Sequence, residues 1–171
     1  MRNLEKDNIL CDDGKIDKNT FENAYKHIRV KLPDKYVKFI KKHNASSLFP
    51  RRYFDFYDDK RRLRYNTDSL DFCNFLKIRE NMDICLEQST DDPNNQDRFK
   101  FYKYFSELLI PFGENGGGDY ICFDYRKDPN TDNPPVVFWY HDVAEQEDRT
   151  SFIANNFEEF INMLHECEDD I

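Results

Sequence analysis

The sequence predicts one domain of mixed helices and strands, on three observations. Apolar residues recur at helical spacing near both ends, across residues 21–28, 32–43 and 157–164. The middle carries strand patterns, an alternation over 119–125 and a continuous apolar run over 136–140. No internal repeat, low-complexity tract or linker divides the 171 residues. A chain of this length buries roughly 70% of its unfolded surface without needing disulfide staples.

Residues 1–18 are mostly polar, with a turn signal at Asp12-Asp13-Gly14, and are expected to form a loose arm before a domain spanning 19–171. Asn19-x-x-Glu22 has the spacing of a reciprocal cap, with Asn in place of Ser or Thr. Behind it Phe21, Ala24, Tyr25 and Ile28 form the apolar side of a first helix. Pro33 suits the first position of a second helix, where its missing N–H would be unpaired anyway. Leu32, Tyr36, Phe39, Ile40 and His43 form its buried stripe, and Lys35, Lys38, Lys41 and Lys42 its wet face. That lysine row reads as a solvated helix surface, not a phosphate site. Asn44 is a candidate left-handed stop.

Residues 51–57 and 61–65 read as strands joined by the turn Asp58-Asp59-Lys60. Residues 75–78 read as a short strand. Met82, Cys85 and Leu86 fit a helix, while Met82, Ile84 and Leu86 fit a strand equally well. Residues 89–97 have loop composition, and an aromatic-rich run from Phe99 to Phe105 follows.

Four of the five glycines then fall together, at Gly113, Gly116, Gly117 and Gly118, which implies a backbone that turns sharply or takes positive φ. In the strand that follows, Ile121, Phe123 and Tyr125 share one face, and Tyr120, Cys122 and Asp124 the other. After a proline-rich loop, residues 136–140 read as an inner strand covered on both faces. Residues 142–149 read as an acidic loop. Residues 151–166 read as a final helix with Phe152, Phe157, Phe160, Ile161 and Leu164 inward, ahead of an acidic tail.

The net charge is -9, the charged fraction 35% and the mean hydropathy -0.91. This balance argues against binding nucleic acid, which relies on Lys and Arg displacing counterions from phosphates. It suits a basic protein partner, because opposite fields steer encounter. The five cysteines, at 11, 73, 85, 122 and 167, form no CxxC and read as reduced thiols. No N-terminal apolar run marks a signal, and no stretch approaches the ~20 apolar residues that cross a bilayer. The expectation is a cytoplasmic protein with no membrane partner.

Catalytic and metal motifs fail one by one. Gly113-x-x-x-x-Gly118 has part of a phosphate-loop spacing, but Asp119 and Tyr120 stand where Lys and Ser or Thr belong. The dinucleotide pattern fails at Ile121. Asp128-x-Asn130-x-Asp132 begins like a calcium loop, but Asn133 replaces its turn glycine and Trp139 its bidentate Glu. His165-Glu166-Cys167 lacks partners at zinc spacing. The four histidines form no ligand pair. His141-Asp142, and Cys122 if His141 approached it, are the remaining acid–base and nucleophile candidates. The expectation is a protein that is not an enzyme and uses no cofactor.

Four pieces together resemble a known family. Residues 32–44, LPDKYVKFIKKHN, resemble the opening helix of the SUKH superfamily, in its branch named for the fungal cell-wall-assembly regulator. Residues 110–124, IPFGENGGGDYICFD, resemble its glycine-centred signature. Residues 136–142, VVFWYHD, resemble the strand that follows, and Ile153-Ala-x-x-Phe157-x-x-Phe160-Ile161 its closing helix. Order and spacing agree over residues 20–166. Pro111, Gly113, Gly116, Gly117, Gly118, Asp124 and Trp139 are the structural signature positions. Two departures are Ala45, where the family usually has Gly, and a longer loop at 89–97.

The resemblance implies an α+β domain, a twisted and mainly antiparallel sheet flanked by helices. It also implies function: bacterial members are mostly immunity proteins that bind and neutralise toxins, often nucleases, and fungal members are regulatory scaffolds. The expectation is therefore an immunity protein for a basic cognate toxin, with a regulatory interaction module as the alternative. Candidate contact acids are Glu114, Asp119, Asp142, Asp58 and Asp59, with Glu145, Glu147 and Asp148 behind them.

Overall fold

The computed structural model describes residues 8–58, 63–77, 108–141 and 149–167. In chain order its strands are β1 (Asn8–Cys11), β2 (Ser47–Phe49), β3 (Tyr53–Tyr57), β4 (Leu63–Ser69), β5 (Asp71–Phe72), β6 (Leu109–Glu114), β7 (Tyr120–Asp124), β8 (Val136–Trp139) and β9 (Thr150–Ala154). Its helices are α1 (Lys18–Tyr25), α2 (Asp34–Ile40) and α3 (Phe157–Met163). Seven strands form one sheet in the order β1-β2-β5-β6-β7-β8-β9, and β3 pairs with β4 separately. Every pairing is antiparallel. The mixed α+β architecture is the one the sequence predicts.

The helices form for local reasons, with one correction. The cap of α1 is Asp17, not Asn19: its carboxylate accepts from the backbone N–H of Asn19 at 3.0 Å and Thr20 at 3.1 Å. Phe21 is the buried residue of α1. Pro33 stands just before α2, and Asp34 complements the positive helix end. Tyr36, Phe39 and Ile40 are buried as expected. The left-handed residue after α2 is Ala45 (φ 52), not Asn44.

Asn44 is instead a buried tie between segments. Its side chain donates to Asn74 Oδ1 at 3.0 Å and accepts from Phe75 N at 2.8 Å. Its backbone N–H donates to Gly14 O at 3.1 Å, and its carbonyl accepts from Asp13 N at 2.7 Å. Asn74 in turn donates to Asp13 at 2.7 Å. Part of the segment expected as a loose arm is thereby tied to the body: β1 lies on the sheet edge and Ile16 is buried.

Two further expectations are corrected. Phe75–Lys77 is a single 3₁₀ turn rather than a strand, because Asn74 and Asn44 accept the amides that a strand would offer to a neighbour. Residues 150–154 form β9, so the last helix starts only at Phe157. Asn156 sets that start, its side chain accepting from Glu159 N at 2.9 Å. Phe152, expected to point inward, is 55% exposed. Expectations for residues 59–62, 78–107, 142–148 and 168–171 lie outside the described residues.

The helices cover one face of the sheet. Tyr36 is central there, its ring 5.7 Å from Phe112, 5.2 Å from Phe123 and 5.7 Å from Phe157, all edge-on. Phe112 and Phe123 stack across β6 and β7 at 4.2 Å. Edge-on and offset rings are the favourable arrangements for aromatic quadrupoles. Leu109, Cys122, Val137 and Trp139 form a second buried cluster from the alternate positions. β8 is thus buried at every position, as its unbroken apolar run predicts.

Candidate functional site: the glycine hairpin

β6 and β7 project a hairpin whose turn spans residues 115–119, next to the end of β8. Each signature residue has a geometric task in building it. Pro111 has no N–H to give a ladder, and it sits where the β6–β7 register slips, between Pro111 and Gly113. Gly113 faces Phe72 on one side and Ile121 on the other. A Cβ there would stand 2.3 Å from Leu70 Cδ1, so no larger residue fits without moving a fully buried leucine. Gly116 (φ 75) and Gly118 (φ 96) occupy the left-handed region.

The turn is closed by side chains. Asn115 Oδ1 accepts from Gly117 N at 2.9 Å and Asp119 N at 3.3 Å, the Asn-based mimic of a backbone turn. Asn115 Nδ2 donates to Asp119 Oδ2 at 3.1 Å. Asp119 Oδ1 accepts from His141 N at 3.0 Å and lies 2.8 Å from His141 Nδ1. The carboxylate of Asp119 therefore clamps the hairpin to the end of β8, and its side chain is only 14% exposed. Gly118 lies flat against the His141 ring, because a Cβ would meet Nδ1 at 3.3 Å.

Asp124 and Trp139 are also structural. Arg126 grips both carboxylate oxygens of Asp124, at 2.9 and 2.8 Å, and reaches Thr150 Oγ1 on β9 at 2.8 Å. Trp139 is 3% exposed and packs on Tyr120 at 5.9 Å.

The acids proposed from sequence now separate. Glu114, the last residue of β6, is exposed. Its carboxyl is nonetheless partly desolvated, and this, with the Asp71 carboxylate opposite it in the register as the lesser cause, raises it above the ordinary value. Asp119 is committed to internal hydrogen bonds. Asp58 is 4% exposed, which corrects the expectation of a surface acid on the β3–β4 turn. Asp59, Asp142, Glu145, Glu147 and Asp148 lie outside the described residues. Asn115 and the turn role of His141 escaped sequence reasoning. An Asn two positions before a Gly was the available signal.

Nothing in this geometry assembles a catalytic pair from Cys122 and His141. Cys122 is fully buried opposite Val137. His141 lies four positions beyond Val137, roughly 13 Å along the strand at ~3.3 Å per residue. Among the described residues no group of three His, Cys, Asp or Glu side chains could hold a metal ion. No described helix is long and apolar enough to cross a membrane.

Comparison with known proteins agrees with the fold. The model of the SMI1 / KNR4 family (SUKH-1) matches residues 15–163. The chain is also 35% identical over 60 residues to the SPbeta prophage-derived uncharacterized protein YokK of Bacillus subtilis (strain 168). That alignment covers 35% of this chain and 28% of the relative. The family match runs from the residues before α1 to the end of α3, and so takes in the tie at Asn44, the whole hairpin and the closing helix. The chain belongs to the SMI1 / KNR4 family (SUKH-1).

Proposed function

We propose that the protein is a cytoplasmic immunity protein, one that binds a cognate toxin and neutralises it by contact rather than by chemistry. Family membership over residues 15–163 is the observation that carries this reading. Net charge supports it: a chain of -9 is matched to a basic partner, such as a nuclease that exposes a cationic cleft for its own substrate.

Within that reading the glycine hairpin presents the contact surface. Its tip is built from exposed Gly116, Gly117 and Gly118 and flanked by Glu114. A rigid, pre-shaped loop loses little conformational entropy on docking. Glu114 supplies charge at the loop's base, and Asp119 acts as a positioning residue that holds the loop in place. Asp142 and Asp59 remain candidates from sequence.

The test is co-expression with the toxic open reading frame adjacent to the gene, scoring survival and a co-purified complex. The expected result is rescue by the unsubstituted protein and slower association for Glu114→Lys, with the difference shrinking as salt rises. Absence of any toxic neighbour, or a purified protein that turns over a substrate, would overturn the proposal. Rescue with salt-independent binding would keep the toxin partner and remove the electrostatic mechanism.

A further inference from the structure

The chain's charge is sharply segregated. Residues 15–42 hold nine Lys and Arg against three Asp and Glu, a balance of +6 along this segment in a chain of -9, part of it neutralised from other elements where Glu158 pairs with Lys35 and Asp132 with Lys31. These residues build α1 and α2, and between the two helices lies an open groove of about 360 Å³. Phe21, Tyr25, Leu32 and Val37 line its floor. Lys26 and Lys41 stand on its rim.

The rim is poised for a carboxylate. The two acids bordering the groove are already engaged, Glu22 with Lys18 at 3.8 Å and Asp34 with Lys31 at 4.0 Å. Lys31 itself also faces Asp132 at 3.5 Å. Lys26 reaches only the neutral side chain of Asn23, at 3.3 Å. Lys41 lies over the Phe21 ring, 4.2 Å from its centroid. Among the described residues neither Lys26 nor Lys41 has a carboxylate within ion-pair distance. The lysine row expected to be an ordinary wet face is therefore split: Lys41 belongs to the groove. The floor is also held in shape, because the Tyr25 hydroxyl accepts from Leu32 N at 2.9 Å and so joins α1 to the start of α2.

We infer that the α1–α2 groove is a second protein-binding surface, opposite in sign to the rest of the molecule, which takes a short acidic peptide segment carrying an aromatic or large aliphatic side chain. The carboxylates meet Lys26 and Lys41, and the apolar side chain lies on Phe21, Tyr25, Leu32 and Val37. An open groove suits a side chain of a peptide better than a small molecule, which needs most of its surface enclosed. Membranes and nucleic acids fit less well. They are large polyanions that meet the whole chain's -9, whereas at ~8 Å screening a peptide feels only the local field. This surface is independent of the toxin-binding proposal.

The test is fluorescence anisotropy of a labelled acidic hexapeptide with one central phenylalanine, titrated with the full chain at low and physiological salt. Binding is expected to weaken about tenfold in Lys26→Gln/Lys41→Gln and to weaken with salt. It is expected to drop at least several-fold when the peptide's phenylalanine is replaced by serine. Glu22→Lys, an exposed change that adds to the local charge, is expected to tighten binding, and it keeps the test decisive if the double variant folds poorly. No saturable binding, or binding unchanged by these lysine variants, would overturn the proposal. So would equal, lysine-dependent binding of anionic phospholipid vesicles or single-stranded DNA. Circular dichroism of each variant checks that the fold is intact.

Discussion

Gly113→Ala tests whether the signature glycine is there for space rather than for backbone freedom. Unlike Gly116 and Gly118, Gly113 does not take positive φ, so strain in the left-handed region cannot explain it. What stands against a side chain is Leu70, whose Cδ1 would lie 2.3 Å from the new methyl, with Asp71 O at 3.4 Å and Ile121 Cβ at 3.5 Å. Real carbon–carbon contacts settle near 3.5–4.0 Å, so the leucine has to move by more than 1 Å. It is fully buried, and its neighbours would have to move with it. Forcing one extra methyl into a packed core costs about 1–3 kcal/mol.

The mechanism is identified by a second substitution. Leu70→Ala alone opens a cavity and costs about 2–5 kcal/mol. In the double variant the Gly113→Ala methyl enters the space that Leu70 vacates. The two costs should then fail to add, with the double variant more stable than their sum by about 1–2 kcal/mol. Urea unfolding of the four proteins, read by fluorescence and circular dichroism, gives the cycle. Additive costs, or a Gly113→Ala protein as stable as the original, would refute the steric account.

Three other outcomes are expected. The Tyr36 hydroxyl is fully buried with no hydrogen-bond partner among the described residues, so Tyr36→Phe should raise stability by about 1–2 kcal/mol in thermal unfolding; a loss would reveal a hidden partner. Asn44→Ala should cost about 2–4 kcal/mol, because it strands the Phe75 amide and removes the donor to Asn74 Oδ1, while the backbone bonds to Asp13 and Gly14 remain; hydrogen exchange at Phe75 should rise with it. Glu114 binds its proton more tightly in the folded state, so its ionisation weakens the fold. Stability from this group should therefore fall as pH rises from about the ordinary value of 4.5 through the raised folded value, and Glu114→Gln should flatten that slope in pH-dependent unfolding.

The fold was legible where residue type and geometry leave one choice. The apolar run in β8 has to be covered on both sides, and the clustered glycines have to turn. The strands β2 and β5 were not legible, being three and two residues long, with pairings set entirely by tertiary contacts. β9 was read as the start of the last helix, although Phe152 lies five residues before Phe157, about 140° away around a helix and so off the stripe of Phe157, Phe160, Ile161 and Leu164. Asn156, with its side chain on Glu159 N, is what makes the helix begin later. Ala45 shows a different limit. Its departure from the family's glycine was visible, but only the structure shows that it occupies the left-handed region at φ 52.

The acids give the sharper lesson about function, since charge in sequence does not say what the charge faces. Asp119 and Asp58 look alike in sequence as surface acids near turns, whereas Asp124 stands as a signature position in a strand. Asp119 and Asp124 turn out to be bonded inward, to Asn115 and His141 and to Arg126, and Asp58 is 4% exposed. A carboxylate already bonded on both oxygens gains little from a partner's cation and would have to break its own bonds to use it. A variant of Asp119 would therefore impair binding through the shape of the hairpin, with a loss that persists at high salt. A variant of Glu114 would act through charge, with a loss that salt removes. The salt dependence of the two variants, compared in one assay, separates the residue that builds the surface from the residue that presents it.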